Sequence, residues 1–99
     1  MNIGYVGSNI LQIGSVVDVS RCSLYHPNVE YKEPHFKLGG VDNITCYTSC
    51  DFVLDTDIKA PCVFDMELAF ILALGFENVK SIKVVSDNLN YEEYEENTL

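Results

Sequence analysis

The chain has 99 residues, with fifteen Asp and Glu against six Lys and Arg, for a formal net charge of −9 and a pI near 4.3. That length allows a single domain over 1–99 with one modest core, and 47% hydrophobic content excludes a chain disordered by composition. The acidic balance argues against a duplex nucleic-acid partner, whose phosphates it would repel, but leaves room for one nucleoside in a neutral pocket. No apolar run reaches bilayer-spanning length. Met1-Asn2-Ile3-Gly4 also lacks the basic start and apolar run of a secretory signal. The expectation is therefore a cytoplasmic protein without a membrane or nucleic-acid partner.

In chain order, Ile3 to Val6 predicts a short strand, and Gly7 a turn where backbone approaches something closely. Ser15-Val16-Val17-Asp18-Val19-Ser20 has strong strand propensity. Arg21 to Gly40 holds Pro27, Pro34 and Gly39-Gly40, and reads as loop with one short strand near Val29–Tyr31. Val41 to Ser49 alternates as a half-buried strand does. Asp51 to Lys59 predicts a turn and a short helix. Pro61-Cys62-Val63-Phe64 predicts a strand, and Glu67 to Leu74 is apolar nearly all round, as in a helix buried on most faces. Gly75 and Asn78 supply its stop signal. Ser81 to Ser86 is a further strand, so the last third reads as a βαβ unit with parallel strands. The tail from Asn90 to Leu99, with Glu92, Glu93, Glu95 and Glu96, is a solvated helix or frayed.

Cys22, Cys46, Cys50 and Cys62 form no C-x-x-C pair. Small buried thiols in strands are the favoured reading over a metal cluster with His26 and His35. Parallel strands carry ligands at their carboxyl ends. Asp65-Met66-Glu67 and Ser86-Asp87 both fall at such ends, where carboxylates can cap helices, bind sugar hydroxyls or transfer a proton. Glu67 opens an apolar helix and so needs a partner, a ligand or a backbone amide.

These residues bring a family into view. Val63-Phe64-Asp65-Met66-Glu67-Leu68-Ala69 resembles the V-x-D/E-M-E-x-A segment of the nucleoside phosphorylase and nucleosidase superfamily, and Lys83-Val84-Val85-Ser86-Asp87 its R-x-x-S-D strand end. Gly4-Tyr5-Val6-Gly7-Ser8 resembles the G-x-A-G-G turn, and Leu11 to Val17 the L-x-x-G-D-x-V that follows. Tyr25-His26 and Ser49-Cys50-Asp51-Phe52-Val53 resemble the Y-H and S-G-D-x-F stretches of methylthioadenosine/adenosylhomocysteine nucleosidases. The resemblance implies an α/β fold, a strongly truncated mixed sheet with the buried helix in a C-terminal βαβ unit. It implies that Glu67 binds ribose hydroxyls with Met66 packed on the sugar, and that Asp87, steadied by Ser86, hydrogen-bonds or protonates a purine. Phe52 would stack on the base beside Val53. Gly7 would let backbone approach the sugar or nucleophile. Lys83 would position water or phosphate, and Tyr25 or His26 would reach a neighbouring subunit's pocket.

Several positions depart from the pattern. Lys83 replaces the arginine of R-x-x-S-D and keeps its charge without its bidentate fork. Cys50 and Ser8 stand where relatives carry glycine. The early strands and helix of a full member have no counterpart, nor does the acidic residue there that activates water. The uncovered sheet this leaves implies a homo-oligomer. The expected function is recognition of a purine nucleoside and cleavage of its N-glycosidic bond, with no cofactor beyond phosphate as a co-substrate. The rivals are a non-catalytic nucleoside-binding, decoy or regulatory module, a purely structural relative, and a zinc or redox domain on the cysteines.

Overall fold

A computed structural model of the chain describes residues 1–25 and 36–98. The strand expected near Val29–Tyr31, His26 and His35 lie outside the described residues. Among the described residues seven strands make one mixed sheet: β1 (Asn2–Ser8), β2 (Val16–Asp18), β3 (Arg21–Leu24), β4 (Phe36–Lys37), β5 (Thr45–Thr48), β6 (Cys62–Asp65) and β7 (Ser81–Asp87). The same residues hold two helices, α1 (Leu68–Ala73) between β6 and β7, and α2 (Tyr91–Thr98) after β7. The strand order is β2-β7-β1-β6-β5-β3-β4.

The α/β class and mixed sheet are as expected, but the strands of the strand–helix–strand unit run in opposite senses. β1 inserts between them, parallel to β7 and antiparallel to β6, with Tyr5 opposite Val84 and Gly7 opposite Phe64. Local sequence holds no record of this insertion, because the intervening strand comes from the start of the chain. β6 and β7 therefore approach from opposite directions and end at neighbouring levels of β1.

Three further expectations are corrected. The stretch read as loop contributes β3 and β4, which pair through Arg21–Lys37 and Cys22–Phe36. No helix forms in 51–59, which has no regular secondary structure. Its end is clamped by Asn9, whose amide donates to the Ile58 and Ala60 carbonyls and accepts from the Cys62 amide. The strand expected from Val41 shrinks to β5, and Val41 itself is 85% exposed.

Helix α1 is buried on one face only. Leu68, Ala69 and Leu72, at i, i+1 and i+4, pack towards β5 and β3, while Phe70 and Leu74 remain exposed. Full burial of each leucine contributes about 2 kcal/mol. With Val6, Val63 and Val85 of the central strands these residues form the core. The helix ends as its sequence suggests, with Gly75 at φ 92° and Asn78 at φ 57°. The acidic tail is helical. Asn90 caps α2 by accepting from the Glu93 amide, and Glu93 reaches back to the Asn88 amide.

Cys22, Cys46 and Cys62 are buried in strands, as expected, whereas Cys50 is exposed. Cys22 and Cys46 sit opposite each other on parallel strands. Their mutual hydrogen bond holds the Cys22 thiol below its ordinary pKa and drives the Cys46 thiol well above it, and burial pushes Cys62 up to about 11. Titration of the native protein with a thiol-reactive dye should accordingly label one cysteine rapidly, and the Cys50→Ser protein none. Labelling of the remaining three should follow global unfolding. Rapid reaction of a second thiol in native buffer would contradict this packing.

Candidate functional site

A cavity of about 520 Å³ opens where β1, β6 and β7 meet. Its floor is backbone and side chains of 4–7 on β1, its walls are residues 51–53 and 64–67, and Lys83, Asp87, Leu89, Tyr91 and Tyr94 close the far side. The sheet places two acidic turns on this one space, although the strands that carry them are separated by β1.

Asp87 ends β7 and is fully buried. Pairing between β1 and β7 shifts register at Val6/Gly7, which breaks the in–out alternation and buries Val85, Ser86 and Asp87 in succession. The Ser86 hydroxyl donates to Asp87 Oδ1 at 2.8 Å. The Leu89 and Asn90 amides donate to Oδ2 at 3.0 and 3.3 Å. Two donors fill Oδ2, so Oδ1 keeps an acceptor position for something else. Asp87 thus organises the turn before α2 rather than capping the helix, which Asn90 does. Gly7 makes room for it: a Cβ there would lie 2.8 Å from Asp87 Oδ2.

Asp65 ends β6 and does several jobs at once. Its Oδ1 accepts from the Thr48 hydroxyl at 2.5 Å, and its Oδ2 accepts from the Leu68 amide at 2.9 Å, which caps the first turn of α1. Lys83 Nζ lies 3.4 Å from the same Oδ2, and both side chains are almost wholly buried. Thr48 Oγ1 in turn accepts from the Ala69 amide at 2.9 Å. The helix entrance is therefore held by two side chains from neighbouring parallel strands.

Glu67 and Met66 line the cavity and are exposed. The partner expected for Glu67 is Asn2, whose Nδ2 donates to Oε1 at 3.2 Å. Phe52 is half-buried and meets Tyr91 and Tyr94 edge to face, each at 5.3 Å between centroids. Val53 lines the wall beside it. Of the residues singled out in the sequence, Glu67, Met66, Phe52, Val53, Gly7, Lys83 and Asp87 come together here, with Ser86 directly behind Asp87. Tyr25 does not line the cavity. Its ring packs on Tyr47 and Phe64, and its hydroxyl is bonded to Thr56 Oγ1 at 2.9 Å. Thr48, Tyr91 and Tyr94 were missing from the sequence-based set. The tyrosines carried a signal, since two aromatics three residues apart share a helix face.

Loss of Asp65 should cost stability first. Asp65→Ala leaves Lys83 buried without its partner and strips the Leu68 amide of its acceptor, so about 3–5 kcal/mol should be lost. Urea unfolding of the two proteins measures this, and a loss below about 1 kcal/mol would remove the ion pair from its structural role.

No family model matches this sequence, and no curated protein matches it either. A solved structure does: a variant of the MTAN from Chlamydia trachomatis, bound to MTA, with a TM-score of 0.81 at 16% sequence identity. The match covers 97% of this chain and 54% of that one. The fold is thus nucleosidase-like, a mixed α/β sheet spanning about half the length of that neighbour.

Proposed function

We propose that this chain binds a purine nucleoside in the cavity and cleaves its N-glycosidic bond. The observation that carries the reading is the convergence of Asp87, Glu67 and Phe52, from three separate segments, on one space. The fold neighbour was solved with MTA bound, which supports a nucleoside as the ligand class. In this reading Phe52 stacks on the base with Val53 beside it, and Met66 covers the sugar. Glu67 accepts from the ribose hydroxyls. Asp87 engages the base at the position left on Oδ1, accepting from it as a carboxylate or protonating it as the carboxylic acid, and the proton transfer improves the leaving group. Negative charge around the ribosyl centre stabilises the oxocarbenium-like transition state. Gly7 gives the sugar or nucleophile access to backbone. Lys83 positions water or inorganic phosphate as the attacking group. No other cofactor is required, and the setting is cytoplasmic. Among the described residues no helix is long and apolar enough to cross a membrane.

A second reading, a module that binds a nucleoside without cleaving it, is favoured by one observation. The Lys83 ammonium is engaged by Asp65 and 1% exposed, which restrains it from handling a nucleophile.

Release of free base from methylthioadenosine, adenosylhomocysteine, adenosine, inosine and uridine, with and without phosphate, separates the two. The enzyme reading expects release from purine nucleosides that falls on the order of 10²–10⁴-fold in Asp87→Asn, with binding largely retained. Glu67→Gln should weaken binding of every ribose-containing ligand. Binding without release assigns the chain to the second reading, and absence of binding defeats both.

The reading includes a homo-oligomer. Ile3, Tyr5 and Val16 are 66%, 51% and 64% exposed on three-strand ladders where Ile3 faces Ile82 and both Tyr5 and Val16 face Val84. Such an apolar sheet face suits a protein contact. Sedimentation should find an assembly that Tyr5→Lys dissociates, and a stable monomer at all concentrations would contradict it.

A further inference from the structure

None of the four cysteines lines the cavity, and two of them face each other inside the sheet. Cys22 on β3 and Cys46 on β5 are register partners on adjacent parallel strands, where facing Cα atoms lie about 4.8 Å apart. A disulfide spans that separation without moving the backbone. Both residues are fully buried in the core that α1 covers, and their thiols are hydrogen-bonded to each other.

The other two cysteines lack this geometry. Cys62 is in register with Thr45, so it projects from the opposite face of the sheet to Cys46. Cys50 lies beyond the end of β5 and is exposed. The pair is also close to an edge. Among the described residues, the outer neighbour of β3 is β4, the last strand of the sheet, with two residues. An edge element with so few contacts opens locally far more readily than the central strands. Of the two thiols, Cys22 is the better nucleophile, because Cys46 stabilises its thiolate.

We infer that Cys22 and Cys46 are a redox-modification site, which a hydroperoxide converts to a disulfide. The Cys22 thiolate attacks a peroxide oxygen and the O–O bond breaks. A sulfenic acid forms on Cys22, and the hydroxide released leaves as water with the proton that Cys22 gave up. The Cys46 thiol then attacks the sulfenic sulfur, an S–S bond forms, and the second oxygen leaves as water with the Cys46 proton. Two thiols lose two electrons, and one hydrogen peroxide is reduced to two waters. The bridge ties β3 to β5 two residues before Thr48, which holds the entrance of α1. Oxidation thus fastens the sheet beside the cavity and consumes no residue that lines it. The inference is independent of what the cavity binds.

The test uses the Cys50→Ser protein, which removes the exposed competing thiol. The native protein is treated with hydrogen peroxide, unfolded in urea, alkylated and mapped by mass spectrometry. Two of its three thiols should be lost, with the Cys22 and Cys46 peptides joined and the chain lighter by two hydrogens. The urea midpoint should shift upward, because the bridge restrains the unfolded chain, and dithiothreitol should return both the thiols and the midpoint. Adding Cys22→Ala should abolish the bridge and the shift. Persistence of all three thiols in native buffer would overturn the inference. So would a bridge to Cys62, oxidation of Cys22 that stops at the sulfinic acid, or a bridge that lowers the midpoint.

Discussion

The buried pair of Lys83 and Asp65 is the interaction on which the site depends. Its two members sit on β7 and β6, strands that do not touch because β1 lies between them. A cross-link of this kind fixes the two strand ends relative to each other where backbone pairing cannot. Asp65 also holds the first amide of α1, and Thr48 ties that arrangement to β5. The positions of Met66 and Glu67 follow, since they occupy the turn between Asp65 and the helix. Burying two charges is costly, and the two hydrogen bonds to the Asp65 carboxylate help make such a pair tolerable.

Asp87 is held by a different device, a local one. A serine beside it and two amides beyond it fix the carboxylate within a single turn. Two acidic residues at strand ends thus serve unlike ends. Asp65 spends its acceptors on structure, whereas Asp87 keeps an acceptor position on Oδ1. The capping role expected for strand-end acids belongs to the first and not to the second.

Much of the last third was legible. Apolar runs of strand and helix length, bounded by acidic turns and by Gly75, locate β6, α1 and β7 within one or two residues. The short elements were not legible. β3 and β4 have four and two residues, too few for alternation to register, and Cys22 and Ser23 are buried in succession. The direction of β6 against β7 was lost because it depends on a partner strand some sixty residues away. At the site, Asp87, Glu67 and Phe52 could be found because their motifs are contiguous. Thr48 could not, since its role arises only when β5 pairs with β6. Tyr91 and Tyr94 were obscured by the glutamates around them, which made the tail read as merely solvated.

The Thr48 hydroxyl has one proton, and Asp65 receives it. The sulfur of Cys22, 3.6 Å from the same oxygen, must therefore be the donor in that contact. Cys46 stands opposite Cys22 on the neighbouring parallel strand. Cys22, Thr48 and Asp65 thus form a one-way relay of donors, each pointing towards the carboxylate. The handedness of that row is imposed from its charged end. Reversing a single link would require reversing all of them, so a neutral chain of small side chains inside the sheet inherits its polarity from an ion pair at the edge of the cavity.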